Sequence, residues 1–163
     1  MTQFTVRPAT ADDARAQAVL YAAVAEERDG IATEPPVDID GRAAYFARTA
    51  GNSVVAVAVA GGQVIGLLHV EPTRHGFGEI GMCVDRGWRG RGVGASLIQA
   101  AISLARERGL HKLSLEAFAH NAAAIGLYRK CGFVQEGVRP RQYRRASGEL
   151  WDSVIMGLPL TLT

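Results

Sequence analysis

The stretch Asp85-Arg86-Gly87-Trp88-Arg89-Gly90-Arg91-Gly92-Val93-Gly94-Ala95 gathers three arginines and three alternate glycines. That composition suits the capture of an anion. Glycines let the backbone turn sharply and approach a ligand closely, so the free N–H groups of a helix's first turn can converge on one anionic group. Arg89 and Arg91 add charge to that dipole, in a form that matches pyrophosphate better than a carboxylate. The flanks supply the elements such a loop needs. Glu79 to Val84 is rich in β-favouring and small residues, and from Val93 the apolar positions Leu97, Ile98, Ala101, Ile102 and Ala105 recur at helical spacing.

Three glycine-rich patterns compete for the loop. A phosphate-binding P-loop has the glycine spacing in Gly87 and Gly92, but Val93 and Gly94 stand where Lys and Ser/Thr are required. A dinucleotide fingerprint is met by Gly90, Gly92 and Ala95, with Glu116 at a suitable distance for a ribose contact. Its first glycine should follow the strand directly, however, and Asp85 to Arg89 intervene; a second nucleotide-binding half is also missing. The third pattern, Arg/Gln-x-x-Gly-x-Gly/Ala, is met by Arg89, Gly92 and Gly94. Here the stretch resembles the acetyl-CoA pyrophosphate loop of the GNAT N-acetyltransferase superfamily. A second motif follows in the same order: Asn121-Ala122-Ala123-Ala124-Ile125-Gly126-Leu127-Tyr128-Arg129-Lys130-Cys131-Gly132-Phe133 resembles the family's Asn-x-x-Ala-x-x-Leu-Tyr-x-x-x-Gly-Phe.

The resemblance implies a mixed α/β fold with a central, splayed, mostly antiparallel sheet flanked by helices, and acetyl-CoA as co-substrate. Met82, Cys83 and Val84 would offer main-chain groups to the pantetheine arm, and Arg89, Gly90, Arg91, Gly92, Val93, Gly94 and Ala95 would hold the pyrophosphate. Asn121 would contact the cofactor, or serve only as a helix cap. Tyr128 would be the general acid that protonates the leaving thiolate, its alternative being a ring packed in the core. Glu116 matches a catalytic glutamate of similar ribosomal-protein alanine acetyltransferases, and Glu79 is the rival base at the start of the strand before the loop. Either carboxylate could instead be a strand-end partner for an arginine, and a water chain could replace both. The oxyanion would meet a backbone N–H near Met82 or Cys83.

The acceptor is a primary amine, expected to be a small molecule such as an amino acid, with a protein N-terminus as runner-up. Glu34 and Tyr143 are acceptor-side candidates by position. A non-catalytic acetyl-CoA sensor and a nicotinamide-binding protein are the other classes; retention of Tyr128 speaks for catalysis. Homodimerisation is a family habit on which these residues are silent.

The rest of the chain agrees. It has 163 residues, 48% hydrophobic and 21% charged, with a formal net charge of +2, enough for one domain with a sizeable core. No basic tract interleaved with aromatics points to nucleic acid, and Arg139 to Arg145 alternates like a solvated edge strand. No signal region and no run of about 20 apolar residues occurs, so a cytoplasmic protein without a membrane span is expected. Cys83 and Cys131 suggest small buried thiols, and His69, His75, His111 and His120 lack pairing for a metal.

The pattern predicts strands over residues 4–7, 53–60, 63–70, 79–84, 111–117, 133–144 and 150–158. It predicts helices from Ala11 to Arg28 capped by Thr10, from Asp40 to Ala50, from Val93 to the Gly109 C-cap, and from Asn121 to Cys131. Gly61-Gly62 and Ser147-Gly148 mark hairpin turns, and Glu34-Pro35-Pro36 an extended connection. These elements form a single 1–163 domain in this reading.

Overall fold

The computed structural model describes residues 3–50 and 54–160. In chain order the elements are β1 (Thr5–Pro8), α1 (Ala14–Ala25), α2 (Ile39–Thr49), β2 (Val54–Ala60), β3 (Gln63–Pro72), β4 (Phe77–Val84), α3 (Val93–Glu107), β5 (Lys112–Phe118), α4 (Ala122–Lys130), β6 (Val134–Arg144) and β7 (Leu150–Pro159). They build one seven-stranded sheet in the order β1-β2-β3-β4-β5-β7-β6. Every neighbouring pair is antiparallel except β4 and β5. Among the described residues no helix is long and apolar enough to cross a membrane.

The β2–β3 hairpin turns through Gly61 and Gly62, both at positive φ (55° and 76°), the geometry a two-residue turn demands and a side chain resists. Period-two alternation then divides the sheet between two cores. On one face α3 and α4 bury Leu97, Ile98, Ile102, Ile125 and Tyr128 against the strands. On the other, α1 and α2 bury Leu20, Val24 and Phe46 against Val57, Leu67 and Cys83.

Several expected boundaries move; those of β1, β3, β6 and β7 shift by one or two residues. α1 ends at Ala25, not Arg28, because the chain turns at Arg28, whose φ is 59°. Its start is a 3-10 turn over Ala11–Asp13, where the Asp13 carboxylate accepts from the Thr10 N–H at 2.7 Å. α2 is capped by Asp38, whose carboxylate accepts from the Gly41 N–H at 3.0 Å, so Asp40 sits inside the first turn. β4 begins at Phe77, two residues before Glu79, since β3 holds it through the Pro72–Gly78 pair. β5 runs from Lys112 to Phe118, one residue later than expected at each end. The expected start of β2 at Ser53 lies outside the described residues. β6 is the edge strand, as expected, but the run after it departs from expectation at Arg145, which is buried rather than solvated.

The feature that makes a site is the parallel pair. β4 and β5 register only through Phe77–Lys112, Gly78–Leu113 and Glu79–Ser114. Beyond Glu79, β4 stays with β3 up to Val84, and β5 stays with β7 up to Phe118. The two strands part, leaving backbone groups of residues 80–84 without a partner on that edge. Unpaired strand edges are ready to accept another extended chain.

Candidate active site

A cavity of about 590 Å³ opens in this gap, within the size range of small-molecule and cofactor sites. Residues 80–84 of β4 form one wall, and Glu116, Ala117 and Phe118 of β5 the other. The cavity has two sides because the sheet has two faces. Ile80, Met82 and Val84 turn toward the α3 core, and Cys83 toward the α1 core. Alternation therefore puts Glu79 and Gly81 on the α1 side with Cys83, and likewise Glu116 and Phe118, since Leu113, Leu115 and Ala117 face α3.

The α3 side carries the anion cradle. Gly90 and Gly92 adopt φ of 74° and 85°, turning the chain into the first turn of α3. Ser96 is the first residue to donate within the helix, to Gly92 O at 3.0 Å, so the N–H groups of Val93, Gly94 and Ala95 are left for a ligand. Gly94 is held tightly: a Cβ there would lie 2.7 Å from Leu127 Cδ2. Gly90, Gly92, Val93, Gly94 and Ala95 all line the cavity, as do Met82, Cys83 and Val84.

The arginines behave differently from expectation. Arg91 is not part of the cavity lining; its guanidinium sits 4.9 Å over the Trp88 ring. Arg89 does line the cavity, but its Nε donates to Val84 O at 3.0 Å and both terminal nitrogens meet the Glu27 carboxylate at 2.7 Å. That bidentate pair holds the Glu27 carboxyl below its usual range, the Arg89 hydrogen bonds being the main cause. Attraction of an anion thus falls on the three amides and the helix dipole.

Asn121 caps α4, its Oδ1 accepting from Ala124 N at 3.2 Å, and it also lines the cavity. Tyr128, about two turns after the Asn121 cap at 3.6 residues per turn, is 7% exposed and also lines the cavity. Burial pushes its hydroxyl up to about 12, with no hydrogen bond contributing. On the α1 face burial likewise raises the Cys83 thiol, to about 12. Tyr128 is therefore a protonated phenol at neutral pH.

On the α1 side Glu116 lines the cavity; its carboxylate accepts from Ser153 Oγ and pairs with Arg139 at 3.1 Å. Glu79 is exposed and lies outside the lining, at the closed end of the gap. Tyr143 is present, packed edge-on to Phe118 at 5.3 Å. Glu34 is absent from the lining. Its Oε2 accepts from Ala146 N at 2.8 Å, and Arg28 and Arg145 stand 3.9 Å from its oxygens, so it ties the connection between α1 and α2 to the β6–β7 turn.

The sequence patterns did not single out Tyr21, Glu27, Trp88 or His69, all of which line the cavity. Their signal is cross-strand or interhelical, and no local spacing carries it.

A gap between parallel strands, the first turn of a helix with free amides and a buried tyrosine all border one cavity. Residues 17–133 match the Acetyltransferase (GNAT) family. The chain belongs to that family. As a GNAT protein it is an N-acetyltransferase with acetyl-CoA as co-substrate. The L-methionine sulfoximine/L-methionine sulfone acetyltransferase of Pseudomonas aeruginosa is 32% identical, covering 98% of this chain and 96% of its own. The solved ribosomal-protein-alanine N-acetyltransferase from Brucella melitensis superposes with a TM-score of 0.87 at 30% identity, over 96% of this chain and 99% of that one. An acetyltransferase from Salmonella typhimurium, solved with its cofactor acetyl-CoA, gives a TM-score of 0.88 at 25% identity, over 98% and 95%.

Proposed function

We propose that the 163 residues act as one GNAT domain that acetylates the primary amine of a small molecule, an amino acid or close analogue, by direct attack on acetyl-CoA. The observation that supports this most is the two-sided cleft. The cradle, Asn121 and Tyr128 stand on the α3 side, while Glu116 and Tyr143 stand on the α1 side. A thioester threaded through the gap would present its sulfur to Tyr128, with its carbonyl along the unpaired β4 edge near Met82 and Cys83, where an N–H can receive the oxyanion.

The proton count sets the remaining tasks. An ammonium must lose one proton before attack and a second as the amide forms, while the departing thiolate gains one. The N–C bond forms as the C–S bond breaks, with net release of one proton. Tyr128 donates to sulfur and regains its proton from the amide-forming nitrogen or from water. Glu116 has two donors already but retains lone pairs, which suits a carboxylate that receives an ammonium. A small acceptor fits a cavity that the pantetheine arm must share, and a full-length relative acts on amino-acid analogues. This reading sets the enzyme in the cytoplasm, where acetyl-CoA is at hand. Protein N-terminal acetylation is the second reading, favoured by the likeness to the Brucella enzyme.

Thiol release from acetyl-CoA across amino acids, their amides, simple amines and N-terminal peptides tests this. Turnover of an amino acid with weaker turnover of peptides supports the first reading, and the reverse order supports the second. Binding of acetyl-CoA without turnover of any amine would leave a sensor as the better account.

A further inference from the structure

His69 sits where no sequence pattern placed a catalytic group. It lies on β3 with its ring lining the cleft. Its register partner on β4 is Gly81, and a Cβ at Gly81 would come within 2.5 Å of the imidazole Cε1 and 2.8 Å of Nε2. The glycine is therefore what allows the ring to lie against the unpaired stretch of β4. Nδ1 is buried and unpartnered, and no hydrogen bond holds either ring nitrogen among the described residues. A buried ring nitrogen with nothing to bond is costly unless it has a use. Nε2, unlike Nδ1, is not sealed off, so it is the nitrogen offered to the cleft.

Its side of the sheet matters as much as its surroundings. Leu67, two residues earlier on β3, faces the α1 core, so His69 does too. Tyr128 faces the α3 core. The two groups address the gap from opposite faces, as a proton acceptor for the incoming amine and a proton donor for the departing sulfur must. We propose that His69 takes the first proton from the acceptor ammonium, its Nε2 lone pair forming the new N–H bond as the ammonium N–H bond breaks. The resulting imidazolium gives that proton to water after acetyl transfer. This rests on the acetyltransferase reading above and adds the base to it; Glu116 then steadies the ammonium.

Glu71 on its own strand and Arg42 of α2 act on the ring; Arg42 lies over Tyr21 and Tyr45, and alternation from Cys83 puts Glu79 on the same face of β4 as Cys83 and Gly81. Glu71 accepts from the Tyr45 hydroxyl. Burial lowers the imidazole's proton affinity most, Glu71 opposes that, and Arg42 reinforces it. The ring is neutral at pH 7, as a base must be, and loses activity only when acid protonates it, below the ordinary histidine value of about 6.5.

The experiment compares wild type with His69→Gln in the thiol-release assay between pH 5 and 9, with acetyl-CoA affinity by calorimetry and the melting curve alongside. The expected result is a fall in kcat/KM of roughly 10²–10⁴-fold, loss of the acidic limb, and unchanged acetyl-CoA affinity and fold. Because Gln could disturb packing, the imidazole is also titrated directly by NMR in the wild-type protein. A midpoint at or above about 6.5 there, or a His69→Gln enzyme keeping the wild-type rate and acidic limb, overturns the assignment while leaving the acetyltransferase reading intact. A wild-type protein that turns over no amine sinks both.

Discussion

Replacing Tyr128 by Phe removes one oxygen from the cleft and nothing else. The ring is buried at 7% exposure and packs edge-on to Phe133 at 5.6 Å, a contact Phe keeps. No hydrogen bond contributes to the hydroxyl's shifted proton affinity, so the fold loses no partner and stability should change by less than about 0.5 kcal/mol. Catalysis should respond differently. Burial pushes the Tyr128 hydroxyl up to about 12, so it keeps its proton at neutral pH and has it to give to a thiolate leaving into the cleft. Loss of such an acid is worth about 10²–10⁴ in kcat, or about 2.7–5.4 kcal/mol at 1.36 kcal/mol per tenfold. The assay is thiol release at saturating acetyl-CoA, with calorimetric Kd and Tm for both proteins. The wild-type rate should show no alkaline decline until well above pH 10, since the phenol stays protonated to that point. A variant that keeps wild-type kcat, or one whose rate falls only because it unfolds, would refute the reasoning.

Three further substitutions probe the frame around the cleft. Gly94→Ala drives a Cβ to 2.7 Å from Leu127 Cδ2; it should displace the first turn of α3 and raise the Kd for acetyl-CoA about tenfold, roughly 1.4 kcal/mol, with a far smaller effect on Tm. Arg145→Met deprives the carbonyls of Arg28, Ile31 and Ala32 of their donor; a loss of about 2–4 kcal/mol by urea unfolding and a raised acceptor KM at near-constant acetyl-CoA Kd are expected. Asp13 is held below its usual 3.8 chiefly by the Arg7 hydrogen bonds. A depressed carboxyl stabilises the fold above its unfolded value and stops doing so as pH falls through its folded value, so Asp13→Asn should flatten the decline of stability below about pH 5 and lower the plateau at neutral pH.

What could be read from sequence was what local spacing encodes. The Gly61-Gly62 turn, the amphipathic α3 with its glycine-led start, and the Asn121 cap of α4 each need only a few consecutive residues, and each stands where expected. The family motifs did the same for the cleft walls. The misses share a different cause. His69 acquires its surroundings from Gly81, twelve residues away on another strand, and only the β3–β4 register brings them together. Arg89 reads as a free cation until α1 delivers Glu27 to it from 62 positions away. Arg145 ends a run that alternates like an exposed strand, yet Phe118 and Trp151 cover its guanidinium at 5.0 and 4.5 Å. The early end of α1 belongs with these, because Arg28 O is one of the carbonyls that Arg145 holds.

Those arginines bear on how the cleft keeps its width. Three residue pairs join β4 to β5, which by themselves would leave the two halves of the sheet free to hinge. The connection after α1 crosses the open end and is fastened on both sides. Glu27 grips Arg89 beside β4 through two 2.7 Å contacts, and five residues on, Arg145 beside β7 donates to Ala32 O at 2.9 Å while Ala146 N reaches Glu34. Neither tie passes through the gap itself. The opening can thus stay free for an extended pantetheine chain while its rims are held at a fixed separation, and positions of reacting groups must be fixed to about half an ångström for catalysis to profit from them. The Arg89–Glu27 pair is half-exposed and worth at most about 1 kcal/mol by itself, whereas the Arg145 tie is buried. If the width of the cleft governs rate, breaking the buried tie should slow acetyl transfer more than breaking the exposed one, although Arg89 lines the cavity and Arg145 does not.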